Sequence, residues 1–454
     1  MSSRNDSHPL VSLAAWPEIR TSRNRNALPT GSVAGLKLSM AVGLRTFEWK
    51  QLPMSPSLIT TQADFDDLCQ HIREAKLVAF DTEFVSEYTY RPELCLLQFA
   101  TAERCVAVDP FEIQDLSAWW ELMADDKTTI LIHGGREEVR FCLTFANAPP
   151  RKLWDVQVAE GLRSRSFPLG YDALVKRVLG RTAHGRETRT DWRRRPLTEN
   201  QIEYAVDDVK HVLEIYDIQK KSLTKLKRQT WAQAEMQRMI DEVSAERAPE
   251  SWQRLPGIHR LSARELAVVR EVYRWRESEA AAKNRPMRKI LRDDLVLEIA
   301  KRRPTSEADL LAVRDMNRPE YKKAAAAMLA CVSEGIAVPK NQLPVLPKSL
   351  DEEKSHDEQV VGQLLGLALA NRCAELNVAM GLIGKTADLR HLVRWHAYGE
   401  RDGDPPRLSQ GWRAEVCGDL LTDVLNGKIS LRVADPQSDH PLVFERRDDA
   451  DAAE

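Results

Sequence analysis

The chain has 454 residues, 43% of them hydrophobic and 30% charged, with a formal net charge of −2. That length exceeds one ordinary core and implies about two to four domains. The near-neutral balance excludes a uniformly basic polyelectrolyte, so any nucleic-acid contact must use local basic patches.

Residues 1–53 read as a flexible Ser/Arg/Pro-containing extension. Its most apolar piece, SVAGLKLSMAVGL, is split by Lys37, and Met40 and Met54 are alternative starts. A first domain is expected over 54–245. Short apolar runs of strand length appear there: LVAF (77–80), LCLLQFA (94–100), CVAVD (105–109) and TILIH (129–133). Helical patterns occupy 62–75, 113–123, 136–145, 171–179 and 200–220. Strands in hairpin-like succession, then alternating with helices, predict an α/β domain with a mixed sheet and flanking helices. AERAPESWQRLPG (245–257) is a linker, and beyond it the chain reads as helices only. A helical domain is expected over 251–337, its 260–283 helix opened by a Ser262–Glu265 capping box. A proline-rich linker at 338–355 leads to a second helical block over 356–430, and 431–454 reads as a C-terminal tail whose last residues, FERRDDADAAE, suit disorder. The seven cysteines (69, 95, 105, 142, 331, 373, 417) form no CxxC pair. They therefore suggest neither a disulfide framework nor a zinc knuckle, and suit a reducing cytosol. No stretch approaches the roughly 18 uninterrupted apolar residues of a membrane span. No signal peptide is legible, so a cytoplasmic location without membrane contact is expected.

Three acidic features carry chemistry. In AFDTEF (79–84), Asp81 and Glu83 lie two apart on a strand and share a face. A buried carboxylate is costly unless paired or bound to a cation, although a lone DxE is more often a polar strand end. In HGGREEVRF (133–141), an acidic pair opens a helix, where it also suits the helix dipole. In QIEYAVDDV (201–209), Tyr204 and Asp208 stand four apart on one helix face.

Taken in order, DTEF, HGGREE, WDVQ (154–157), RTDWRRRPL (189–197) and YAVDD (204–208) resemble the ribonuclease D family, the tyrosine branch of the DEDD 3′–5′ exonucleases. The resemblance covers about 55–245. It implies a ribonuclease-H-like α/β fold that hydrolyses the 3′-terminal phosphodiester with two divalent cations, Mg²⁺ or Mn²⁺. By position, Asp81, Glu83, Glu138 and Asp208 would be the metal ligands, with Tyr204 orienting the attacking water. The second motif departs from the family pattern: Glu138 stands where Asp is usual, and is longer by one methylene. Glu137 and Asp207 fit the spacing less well. Hard cations want such oxygen ligands. Two of them about 3.5–4 Å apart can stabilise the attacking and leaving oxygens together. Thr82, Phe84, His133, Arg189 and Arg195 are the expected substrate contacts. Phe84 would stack on the terminal base, and the arginines of 181–197 would track phosphate. His133 also suits a structural hydrogen bond, and Trp192 suits packing.

Residues 251–337 resemble the helicase-and-RNase-D C-terminal (HRDC) domain. Lys283, Arg285, Arg288, Lys289, Arg292, Lys301, Arg302 and Arg303 would form an accessory RNA surface, and 356–427 a divergent second copy. The implied function is a 3′–5′ exoribonuclease releasing nucleoside 5′-monophosphates from RNA 3′ ends such as those of tRNA precursors. No protein partner is inferable. The alternatives are a DNA 3′–5′ exonuclease and an RNA-binding scaffold with a degenerate nuclease site.

Overall fold

The computed structural model describes residues 57–183, 190–246, 251–345, 358–399, 401 and 403–446; the extension at 1–53 lies outside them. Six strands form one mixed sheet in the order β1-β4-β3-β2-β5-β6. They are β1 (Ser57–Ile59), β2 (Leu77–Val85), β3 (Glu93–Ala100), β4 (Cys105–Val108), β5 (Thr129–Ile132) and β6 (Leu153–Asp155). β2, β3 and β4 form an antiparallel meander, while β1 runs parallel to β4 and β5 parallel to β2 and β6.

Alternation along the strands sorts the side chains into two layers. Phe80, Leu97, Phe99 and Val108 face one way. They pack with Phe65 and Leu68 of α1 (Gln62–Ala75) and with Trp119 and Trp120 of α2 (Ser117–Ala124). α3 (Arg136–Phe145) lies on this side too, through Val139 and Phe141. Ala79, Ala100 and Leu131 face the other layer. It contains α4 (Val156–Arg163), α5 (Tyr171–Leu179), α6 (Glu199–Lys210) and α7 (Val212–Lys225). α6 lies across β2, β3 and β4. The sequence suggested a single helix over 200–220; His211, at φ −100° and ψ −4°, divides it into α6 and α7.

α8 (Gln229–Glu246) carries the chain out of the sheet domain. α9 (Ala263–Lys283) opens with the expected Ser262–Glu265 capping box. It packs with α10 (Met287–Ile290), α11 (Asp293–Arg302), α12 (Glu307–Leu311), α13 (Pro319–Lys323) and α14 (Ala325–Ala337) around Trp252, Val269, Leu295, Ile299 and Met328. Gly335 lets α14 meet α9 closely: a Cβ there would stand 2.5 Å from the Val268 Cα. This domain also touches the β2–β3 connection. The Tyr90 N–H donates to Asn284 Oδ1 at 3.2 Å, and the Tyr90 hydroxyl donates to Glu277 Oε1 at 3.1 Å.

The last block comprises α15 (Gln359–Glu375), α16 (Met380–Ile383), α17 (Thr386–Ala397) and a helical run over 411–425 containing a π-helical turn at Ala414–Gly418. It shares one core with the sheet domain: Leu162, Trp231 and Met236 pack with Leu369, Leu382 and Trp412. Trp231 stacks on Trp412 with centroids 5.0 Å apart. The expectation of helices only, followed by a tail from 431, is corrected here. β7 (Ile429–Val433) and β8 (Leu442–Arg446) pair as an antiparallel hairpin. Ile429, Leu431 and Phe444 pack on the block's core, which gives this polar-looking segment a reason to fold. Among the described residues no helix is long and apolar enough to cross a membrane, and the seven cysteines are free thiols.

Candidate active site

The site forms where pairing along β2 becomes one-sided. β5 pairs with β2 only as far as Ala79–Leu131, whereas β3 follows β2 to Val85. Asp81 and Glu83 therefore sit inside a longer strand than the sequence suggested, beyond the carboxyl end of β5, where open α/β sheets leave a crevice. The chain leaving β5 turns through Gly134, in the left-handed region at φ +67°, and Gly135 into α3, whose first turn carries Glu138. A Cβ on Gly135 would stand 2.5 Å from Ile132 Cδ1 and 2.9 Å from Glu138 Oε2, so glycine is needed for this approach. Asp155 Oδ1 caps α4 and holds the same turn, accepting from the backbone N–H of Gly134 (3.1 Å), Gln157 (2.8 Å) and Val158 (3.3 Å). α6 brings Tyr204 and Asp208 in from above the sheet.

The four acids act on one another. Burial holds Asp81 well above the usual carboxylate range, reinforced by the charges of Glu138, Asp208 and Glu83. Burial, then Asp208 and Glu138, pushes Glu83 up to about 8. Glu138 is pushed up to about 7 by burial, against the hydrogen bond it accepts from Thr82 Oγ1 at 2.6 Å. Burial and the neighbouring Asp207 and Asp172 push Asp208 up to about 7, against a hydrogen bond from Tyr204. Burial, then Asp208, Glu83 and Asp81, holds the Tyr204 phenol above its ordinary range. No Arg, Lys or His is among the largest influences on any of the four, and none of them forms an ion pair among the described residues.

Four carboxylates, Glu138 buried and Asp81, Glu83 and Asp208 half-buried, without a counter-charge among the described residues fit a hard divalent cation in chemistry. They do not yet form a closed ligand set: no three His, Cys, Asp or Glu side chains among the described residues are gathered around one point. Closing the set requires side-chain movement, above all at Glu138, whose Oε1 is held by Thr82.

The remaining expected site residues divide. Phe84 is half-buried beside the acids, edge-on to Phe141 at 5.8 Å. His133 bonds through Nε2 to the Leu169 carbonyl at 2.9 Å, its structural reading. Trp192 is buried and packs 6.3 Å from the Tyr204 ring. Glu137 pairs with Arg140, and Asp207 lies 4.0 Å from Lys210. Arg189 lies outside the described residues.

Arg195 is corrected. Its Nε donates to Asp109 Oδ2, and its Nη2 to Asp109 Oδ1 (2.7 Å) and Cys95 O (2.8 Å). Its Nη1 donates to Trp192 O (2.8 Å) and Arg194 O (3.0 Å). All five donors are spent, so this guanidinium has none left for phosphate. Arg181 and Arg193 are likewise paired, with Glu214 and Asp191. Of the basic residues on the helical domain, Arg288, Arg292 and Arg302 pair with Asp293, Asp294 and Glu298. Lys289, Lys301 and Arg303 are exposed and form no ion pair among the described residues.

Sequence reasoning missed Tyr171. Its hydroxyl donates to the Asp207 carbonyl (2.8 Å) and accepts from the His211 N–H (3.3 Å), fixing the break between α6 and α7. A lone Tyr at a helix start gives no signal of this role.

Comparison with known proteins bears on both halves. Residues 56–224 match the family model of the 3′–5′ exonuclease domain, and 265–332 that of the HRDC domain. The chain is 32% identical over 383 residues to ribonuclease D of Granulibacter bethesdensis, covering 84% of this chain and 95% of that protein. It is 32% identical over 379 residues to ribonuclease D of Bartonella henselae, covering 82% and 91%. The crystal structure of Escherichia coli RNase D, described as an exoribonuclease involved in structured RNA processing, superimposes with a TM-score of 0.71 at 26% identity. That match covers 82% of this chain and 99% of the E. coli chain.

Proposed function

The chain belongs to the ribonuclease D family of 3′–5′ exoribonucleases, which is metal-dependent, and on that premise we propose that Asp81, Glu83, Glu138 and Asp208 hold two divalent cations, Mg²⁺ or Mn²⁺. Such a pair, when bound, supplies positive charge to the attacking and leaving oxygens and eases deprotonation of the attacking water. Asp81, which feels the other three acids, would serve both ions, Glu83 and Asp208 would hold one, and Glu138 would hold the other. Tyr204 orients the attacking water through its hydroxyl. Its phenol is held protonated by burial and by the acids, so it acts as a hydrogen-bonding group rather than as a base. Phe84 supports the terminal base. The products are nucleoside 5′-monophosphates.

The substrate in this reading is the 3′ end of structured RNA, tRNA precursors included, in the cytoplasm. Lys289, Lys301 and Arg303 offer phosphate contacts at a distance from the cut. The observation that carries the site assignment is the set of four interacting acids, one buried and three half-buried, without a cationic partner among the described residues. The test is a 5′-labelled RNA, beside a DNA of matched sequence, incubated with Mg²⁺, Mn²⁺ or EDTA. One-nucleotide shortening of RNA that EDTA abolishes is the expected result. Shortening that survives EDTA would overturn the metal assignment, and equal cutting of DNA would overturn the RNA preference.

A further inference from the structure

Gln98 sits at the centre of β3 and is fully buried. It pairs with Asp81 on one side and Ala107 on the other. Its parity is that of Leu96 and Ala100, so its side chain lies in the layer beneath α6, the layer Asp81 shares with Ala79. Neither Nε2 nor Oε1 finds a partner in the protein. Other buried amides are better met: Gln219 lacks a partner at Oε1 alone, its Nε2 donating to Val156 O at 2.9 Å, and Asn371 exchanges two hydrogen bonds with Leu442. Leaving a buried polar atom unmet costs about 1–3 kcal/mol, so two of them on the residue paired with Asp81 call for a reason.

Asp81 supplies it. Among the described residues its carboxylate accepts from the Thr82 N–H, at 2.9 Å from Oδ1. A carboxylate ionised by cations in a buried place needs further donors. Directly opposed strand residues have Cβ atoms about 4.5–5.5 Å apart, so the Gln98 amide can reach the Asp81 carboxylate directly or through one water. We propose that Gln98 is a positioning residue: its Nε2–H holds the Asp81 carboxylate in the orientation that receives the cations. This inference rests on the metal assignment above.

The test uses the full chain with Gln98→Leu and Gln98→Met, two apolar replacements of similar size, and Asp81→Asn alongside. Mn²⁺ binding is measured by calorimetry and the melting temperature in EDTA. The expected result is an EDTA melting temperature unchanged or raised, because unmet polar atoms are removed. Mn²⁺ affinity should be weaker by roughly 10–100-fold, as for partners that orient metal ligands, with activity recovering at high Mn²⁺. A lowered EDTA melting temperature with wild-type Mn²⁺ affinity would overturn the proposal, as would failure of both variants to fold. Loss of Mn²⁺ binding in Asp81→Asn with wild-type affinity in both Gln98 variants sinks this inference alone. Absence of Mn²⁺ binding in the wild type sinks the metal reading and this inference together.

Discussion

Acids drawn wholly or partly out of water are held in two ways in this molecule. Asp109, 2% exposed, meets the fork of Arg195. Glu160, 1% exposed, is flanked by Arg163 at 2.8 Å and Arg177 at 3.0 Å. Glu235, also 1% exposed, gathers Arg238, Arg413 and the Trp412 indole N–H, tying α8 to the last helical block. Around Asp81, Glu83, Glu138 and Asp208 no such partner is present among the described residues. Asp109, Glu160 and Glu235 serve the fold against arginine, and Asp155, 1% exposed, does so against three backbone N–H groups. On the proposed reading, the four acids left without an arginine partner are kept for cations.

The sharpest break of this contrast is at the cluster. Asp81→Asn and Asp208→Asn should each lower exonuclease turnover on the order of 10³-fold or more. In EDTA their melting temperatures should not fall, since each removes a repelling charge; a large loss of stability would place these acids with the structural ones. The structural acids should behave oppositely. Glu235→Ala leaves Arg413 buried without its partner and should cost about 3–5 kcal/mol in urea unfolding. Arg195→Leu strands Asp109 and should cost a similar amount, about 3–5 kcal/mol. If KM for RNA rose at unchanged stability instead, Arg195 would be a phosphate contact after all.

A smaller effect is expected from pH. The cluster's folded carboxyls titrate above their unfolded values, with Glu138 and Asp208 near 7 and Glu83 near 8. The folded chain therefore binds more protons, and the stability this contributes is whole below the unfolded carboxylate range. It declines as pH rises and is gone above about 8. The melting temperature in EDTA should fall between about pH 5 and 8, and saturating Mg²⁺ should flatten that slope. A slope unchanged by Mg²⁺ would detach the titration from metal binding. The smallest expected change is Glu138→Asp, which withdraws the carboxylate from Thr82 by one methylene. It should alter the ratio of Mg²⁺- to Mn²⁺-supported rates several-fold and leave the fold intact.

Much of this was legible in the sequence where a local rule applied. α1, α3 and α5 match the ranges read from periodicity, and Ser262–Glu265 marked the start of α9. The acids were legible because i, i+2 on a strand and i, i+4 on a helix fix a shared face. β1 and β6, three residues each, are too short to show a period, and their pairing is non-local. The β7–β8 hairpin hid among charged residues because only Ile429, Leu431 and Phe444 on its inner side anchor it. Arg195 misled because sequence displays a charge but not the partner that consumes it. Gln98 was silent for the converse reason: nothing local says that a glutamine amid apolar neighbours will face an acid across the sheet.

The Tyr90 contact has a mechanical consequence. Asp81 and Glu83 ride on the strand that leads into the loop clasped by Asn284 and Glu277. Tyr90 thus joins the backbone that carries half of the acidic quartet to α9 and its Asn284 cap, so the helical domain and the strand bearing Asp81 and Glu83 share a fixed point.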